Sequence, residues 1–520
     1  MVPVNDVHVL EILPHETSQI VMSIVESAYG PLSGQVLICG ILLLVLIQIV
    51  RYFLSPIHRL PGPVTAKLST FWLASQCQKV RRSEEVLKLH RKHGDFVQIA
   101  PNHVSINTPD AIQQIYGHKT GFVKGPFYDA FHQVTPVVFN TRNVSEHTRK
   151  RKYINPAFSA RALSGFEPYM DAEIVAWKRQ LLKISNGASP RVDFSVWTNY
   201  LAFDVIASFA FGEHFGFVEK GEDEYGLIKI IDTRGEFMNA LGSLSPFLRS
   251  VMRYNPFDSF WKNGFRASAG LAKIGKEAFE KRKSSADNSR KDLLSFLFNA
   301  KDPDTKQPIP EDEIIAESIS FIVGGSDTTS STMTNFIDFV ARDEDLQLRI
   351  QQEIDKIFPG EPSDDWVPSE KKLNELSLLL ATLREVMRLR PTSATGLERV
   401  TPQGGKTIAG QFIPAETLVS VPTLGIMMDP RIFESPETFR PERWLEPGAD
   451  ELMEYFYPFS TGPRSCIGRN FAWMEILKAV AVVFKLFHVK RMNPKPIVIR
   501  EGFFNKAVEC EAEIHKRRLN

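Results

Sequence analysis

The sequence predicts a mainly α-helical protein: one large domain with a small β-sheet region, placed behind a single membrane-spanning helix. Three observations predict it. From residue 61 to residue 520 helical periodicity dominates, with no internal repeat and no low-complexity tract. The strand-like runs are short and few, at residues 96–99, 104–107 and 417–421. Residues 27–50 carry no charge, and their second half, VLICGILLLVLIQIV, is almost wholly apolar.

At ~1.5 Å per residue a helix over residues 27–50 spans ~36 Å, enough for a hydrocarbon core of ~30 Å. A cleaved signal peptide would begin with basic residues. Here Asp6, Glu11, Glu16 and Glu26 come first, and no Lys or Arg precedes Arg51. Arg51, Arg59 and Lys67 follow the apolar run, so the positive-inside rule places the N-terminus across the membrane and the bulk of the chain in the cytosol. Pro56, Pro61, Gly62 and Pro63 make a stiff linker. The expected organisation is a tail, single transmembrane anchor and linker over residues 1–60, then a catalytic domain over residues 61–520. Breaks at residues 186–187, 284–289 and 302–310 are too short to divide that domain. The sequon Asn143-Val144-Ser145 would lie in the cytosol and reads as a chance match.

Composition narrows the function classes. Lys and Arg total 62 against 61 Asp and Glu, so no bulk charge draws the chain to nucleic acid. Cys39, Cys77, Cys466 and Cys510 show no C-x-x-C spacing, which argues against zinc ribbons and disulfide scaffolds. Phe is abundant at 37 residues, which suits either a lipophilic ligand cavity or a Phe-rich core.

Two segments carry chemistry. After Pro310, the acidic run Glu311-Asp312-Glu313 suits a helix start, and the helical pattern continues to about residue 342. Its middle holds Gly324-Gly325-Ser326-Asp327-Thr328-Thr329, poor helix formers that predict a local weakening where a ligand approaches the backbone. The second segment is Phe459-Ser460-Thr461-Gly462-Pro463-Arg464-Ser465-Cys466-Ile467-Gly468-Arg469. Its glycines permit close backbone approach, and helical pattern resumes at Asn470, so Cys466 sits just before a helix N-terminus that favours a thiolate. Such a thiolate suits axial ligation of haem iron.

The spacing F-x-x-G-x-R-x-C-x-G, with four further motifs in order, resembles the cytochrome P450 family over about residues 61–520. The resemblance implies the helix-rich cytochrome P450 fold, haem b held by Cys466, and electrons from NADPH delivered by NADPH-cytochrome P450 reductase, with cytochrome b5 as a further partner. It implies that Asp327 and Thr328 relay protons for oxygen activation. It also implies a structural triad of Glu385, Arg388 and Arg443, the last in Phe439-x-Pro441-Glu442-Arg443-Trp444, where Trp444 replaces a more usual Phe. His147, Arg151, Arg399 and Arg464 match haem-propionate positions, His147 standing where the family usually has Trp and Glu398 departing from the commonest pattern beside Arg399. For Arg149, Lys150 and Lys152 the expectation is a solvated basic face. The implied location is the endoplasmic reticulum membrane.

The resemblance is closer to filamentous-fungal microsomal members, in particular the benzoate para-hydroxylase group. Substrate-recognition regions would fall at residues 121–140, 391–397 and 502–505. No cation for a benzoate carboxylate stands out in the sequence. The leading expectation is therefore oxidation of a lipophilic small molecule in secondary-metabolite tailoring, with benzoate 4-hydroxylation as the alternative and a non-oxygenating haem protein as a third class.

Overall fold

Residues 31–132, 135–252, 258–285 and 290–519 are described by a computed structural model. The chain divides after His58 into two units. In the first, helix α1 (Pro31–Leu54) runs for 24 residues with no acidic residue in its first turn and Arg51 in its last. Its large apolar side chains, among them Val36, Ile38, Leu42, Leu43, Leu46 and Phe53, face outward. The tail expected over residues 1–30 lies outside the described residues.

The second unit is built around helices that the sequence pattern makes apolar on several sides. Those that place the site are α2 (Val144–Ile154), α3 (Phe194–Phe211), α4 (Leu227–Ser243), α5 (Glu311–Ala341), α6 (Ser377–Leu389) and α7 (Arg469–Leu486). Helix α3 is long and apolar enough to cross a membrane, but 83% of it is buried, which makes it a core helix. It crosses the central helix α5, which also packs against α6 and α7.

Helix α5 runs unbroken through the glycine and hydroxyl segment, so the expected weakening does not interrupt it. Four of the hydroxyls in and just after that segment turn back onto the helix itself. Ser326, Thr328, Thr332 and Thr334 each donate to the carbonyl four residues earlier, at 2.7–2.8 Å, and so stay satisfied within the helix. The two glycines differ in use. A Cβ on Gly325 would meet Ile206 of α3 at 2.6 Å, so Gly325 permits the helix crossing. A Cβ on Gly324 would meet nothing within 4 Å, because that position borders a cavity.

The sheets are small. The largest orders its strands as Phe96–Ala100, His103–Ile106, Leu418–Ser420, Arg399–Val400 and Val123–Lys124. It joins segments about 300 residues apart in sequence, and its last pair sets Lys124 directly opposite Arg399. Like charges so placed destabilise a sheet unless something neutralises them. A hairpin of Val498–Glu501 with Asn505–Val508 presents the turn at residues 502–504 toward α4, where the Phe503 N–H donates to the Gly235 carbonyl at 3.0 Å.

Candidate active site

Cys466 is positioned by the tight loop before α7. Its N–H donates to the Phe459 carbonyl at 2.9 Å, and the Ser465 N–H donates to the Gly462 carbonyl at 3.1 Å. Gly462 has φ +70°, and a Cβ there would lie 2.0 Å from the Tyr116 carbonyl oxygen, so this turn demands glycine. Cys466 is exposed through the cavity it lines, although the surrounding protein is dense enough for desolvation to push its thiol upward. The Gly468 N–H and the charges of Arg151 and Arg469 pull it the other way. Cys77 and Cys510 are buried elsewhere.

The cavity wall is mostly apolar, with Phe131, Phe139, Ile206, Val323, Leu397 and Phe503 from all three expected recognition regions or the central helices. Into it project Lys124, His147, Arg151 and Arg464, with Arg399 alongside in the sheet. None of Lys124, Arg151, Arg399 and Arg464 has a carboxylate within 4.0 Å among the described residues. Their bonds go to neutral groups. Lys124 donates to the Phe139 carbonyl, Arg399 to the Tyr128 hydroxyl at 3.3 Å, Arg151 to the Ser465 carbonyl at 3.4 Å and Arg464 to the Thr141 carbonyl at 2.8 Å. Burial, then the neighbouring cations, pushes Lys124 well down and brings Arg464 to about 10. Burial also holds His147 at about 3, with help from Arg464 and Lys124, so its imidazole is neutral and contributes an N–H rather than a charge.

A buried cluster of cations without acids needs anions. Two carboxylates on a flat apolar ring, over a thiol aimed into the same cavity, meet that need. The residues present therefore fit a haem. Lys124 belongs to this set and was missed in the sequence, because no local motif marks it; only the strand register brings it beside Arg399.

On α5 the Thr328 hydroxyl borders the cavity and donates to the Gly324 carbonyl at 2.7 Å. Asp327 is buried, and desolvation pushes its carboxyl up to about 6 despite Lys506. Lys506 Nζ lies 3.5 Å from Asp327 and 2.5 Å from Asp232, whose side chain is 36% exposed. The file Asp327, Lys506, Asp232 thus leads from the helix toward water. Neither Lys506 nor Asp232 is visible as a partner in the sequence.

Glu385, Arg388 and Arg443 come together in one buried cluster. Arg388 donates to both Glu385 oxygens at 2.8 and 2.9 Å, and Arg443 donates to one at 3.1 Å. Arg388 also caps the Met427 and Pro436 carbonyls, both at 2.7 Å. Trp444 turns out to matter, since its indole N–H donates to Glu385 at 2.9 Å, a bond Phe could not make.

One expectation fails. Arg149 and Lys150 are not a solvated face. Arg149 is held by Glu146, Asp302 and Glu313, and Lys150 is 1% exposed between Glu313 and Glu317. Glu313 and Glu317 stand one turn apart on α5, so they pull α2 onto the central helix. Lys152 alone of the three is exposed. Asn143 of the sequon caps α2, accepting from the Glu146 N–H at 3.1 Å.

A family model described as Cytochrome P450 matches residues 61–512. The benzoate 4-monooxygenase bphA of Aspergillus niger is 34% identical over 507 residues, covering 92% of this chain and 97% of its own. A cytochrome P450 monooxygenase of Eupenicillium brefeldianum is 31% identical, covering 90% and 91%. One of Penicillium roqueforti is 30% identical, covering 85% and 91%.

Proposed function

The chain belongs to the cytochrome P450 family, an oxidoreductase family of haem-thiolate monooxygenases, and from that membership we propose that it hydroxylates a small aromatic acid in the manner of a benzoate 4-monooxygenase. The sequence favoured secondary-metabolite tailoring. The 34% identity to a benzoate 4-monooxygenase along nearly the whole of both chains favours the aromatic acid instead. The observation that carries the enzymatic reading is a single cavity holding the Cys466 thiol, the unpaired cations and the Thr328 hydroxyl together.

When bound, the haem supplies the activation of dioxygen, which the protein alone cannot perform. Cys466 Sγ would hold its iron, and Lys124, Arg151, Arg399 and Arg464 its propionates, with a neutral N–H from His147. The apolar wall excludes water and so strengthens each polar contact inside. The Thr328 hydroxyl is placed to give a proton within the cavity, and the Asp327 carboxyl, held at about 6, is poised to exchange protons near neutrality. Lys506 and Asp232 would connect that carboxyl to water. In this reading α1 crosses the endoplasmic reticulum membrane with the N-terminus in the lumen, residues 1–60 serve as anchor and linker, and the domain over residues 61–520 meets the reductase from the cytosolic side.

The test is incubation of membranes carrying the chain and NADPH-cytochrome P450 reductase with benzoate and larger aromatic acids, followed by product identification. NADPH-dependent formation of a ring-hydroxylated acid is expected. Oxygen consumption and product that stay at background for every acid would overturn the reading.

A further inference from the structure

Arg234 lies on α4 and lines the same mostly apolar cavity. It is 6% exposed. Its guanidinium makes no hydrogen bond and no ion pair with any described residue, and its Nε is fully enclosed without a partner. Every other buried arginine among the described residues is hydrogen-bonded: Arg82 to Asn239, Arg282 to Asp292, Arg388 and Arg443 to Glu385, Arg399 to Tyr128, and Arg491 to Asp338. The acids nearest in sequence are committed elsewhere. Asp232 takes Lys506 at 2.5 Å and Glu236 takes Arg500 at 2.6 Å, and a helix turns residues two apart onto different faces. Burial alone lowers Arg234, to about 10, with no charged neighbour contributing. The backbone beneath it is fixed, since Asn239 donates to the Gly502 carbonyl at 2.7 Å and Gly235 accepts from Phe503 at 3.0 Å.

A desolvated guanidinium with open donors is expensive to keep. In a ligand cavity the natural compensation is an anion carried by the ligand. Lys124, Arg151, Arg399 and Arg464 match the two haem propionates, which leaves Arg234 as a further positive charge with no anion. One guanidinium fork in an apolar wall matches a monoanionic carboxylate, whereas a phosphate dianion would call for further donors.

Building on the haem-thiolate reading, we infer that Arg234 is the anchor for the substrate's carboxylate, so the enzyme takes lipophilic monocarboxylic acids as their anions and discriminates against the corresponding neutral esters. A carboxylic acid of ordinary pKa, ~4, is ionised at neutral pH. The guanidinium then fixes one end of the molecule, and the apolar wall receives the other.

The test uses the holoprotein and substrate-induced haem difference spectra. Benzoate, cinnamate and 2-naphthoate are each titrated against their methyl esters, with wild type, Arg234→Gln, Arg234→Lys and Arg234→Met. In wild type at least one acid should bind ~10-fold or more tightly than its ester, the scale expected of charge-assisted hydrogen bonds. Arg234→Gln should abolish or reverse that ratio, and Arg234→Lys should retain part of it. Without acid, Arg234→Met should unfold at the same or a higher temperature than wild type, because it removes an uncompensated charge. Equal binding of acid and ester in wild type for all three pairs would overturn the inference, as would a ratio unchanged in Arg234→Gln. Unfolding of the uncharged variants at clearly lower temperature would overturn it too, by assigning Arg234 to the scaffold. Failure of the parent reading looks different: wild-type protein would then lack the spectrum of a thiolate-ligated haem.

Discussion

Two clusters of buried charge in this molecule follow opposite rules. Behind the cavity, Glu385 accepts from Arg388, Arg443 and Trp444, and the spare guanidinium donors cap backbone carbonyls, so nothing is left over. Around the cavity, Lys124, Arg151, Arg399, Arg464 and Arg234 have no acid at all among the described residues. The closed set can hold a scaffold in any state of the enzyme. The open set is complete only with anionic ligands. Between these two clusters, pairing within the chain is what separates framework from binding site.

Breaking the closed set should have the largest effect. Glu385→Ala strands two buried guanidiniums, and loss of one partner of a buried pair typically costs ~3–5 kcal/mol. The expected outcome is failure to accumulate folded haem protein, read by expression yield and urea unfolding. Near-normal unfolding would erase the distinction.

Thr328→Ala comes next and leaves both clusters intact. Haem and acid binding should persist, while product per NADPH oxidised falls steeply, since general acid assistance typically contributes ~10²–10⁴-fold. Thr328→Ser should keep most of the coupling. Product and NADPH measured together in a reconstituted membrane system decide it, and unchanged coupling in Thr328→Ala would remove Thr328 from the relay.

Opening the cation cluster further should act on the cofactor. Arg464→Gln should speed haem transfer to apomyoglobin, by ~10-fold for loss of one charge-assisted bond. Transfer at the wild-type rate would mean that Arg464 serves the loop alone.

The smallest effect belongs to a closed pair at the surface. Glu173 raises half-exposed His214 to about 8, mainly by hydrogen bonding. A raised folded-state value means that this pair stabilises fully below the ordinary ~6.5 and loses its contribution as pH rises through about 8. The melting-temperature difference between wild type and His214→Gln should therefore shrink between pH 6 and 9. A difference that grows over that range would reverse the assignment.

The comparison also shows what a sequence makes legible. Cys466, Thr328 and the Glu385–Arg388 pair sit in short motifs that the sequence singles out by itself, and the fold sets the first two on one cavity and the last two in one buried pair. Lys124, Lys506 and Arg234 were not singled out, because each takes its meaning from a partner or a lack of one across the fold: Arg399 by strand register, Asp327 from a distant hairpin, and no acid at all. Arg149 and Lys150 were misread for the same reason, since apart from the local Glu146 their acids lie more than 150 residues away, Asp302 in the loop before α5 and Glu313 and Glu317 on α5. The helix-rich fold was visible from periodicity, whereas strands of two or three residues, such as Val123–Lys124, leave no pattern to see.

The most direct test of the central claim, that the open charges serve a haem held by Cys466, is the absorption spectrum of the reduced, carbon-monoxide-bound protein. The account predicts the red-shifted Soret band of thiolate ligation in wild type and in single alanine variants of Cys39, Cys77 and Cys510, and its loss in Cys466→Ala. A Cys466→Ala protein that keeps the band, or a wild type that never shows it, would contradict the account.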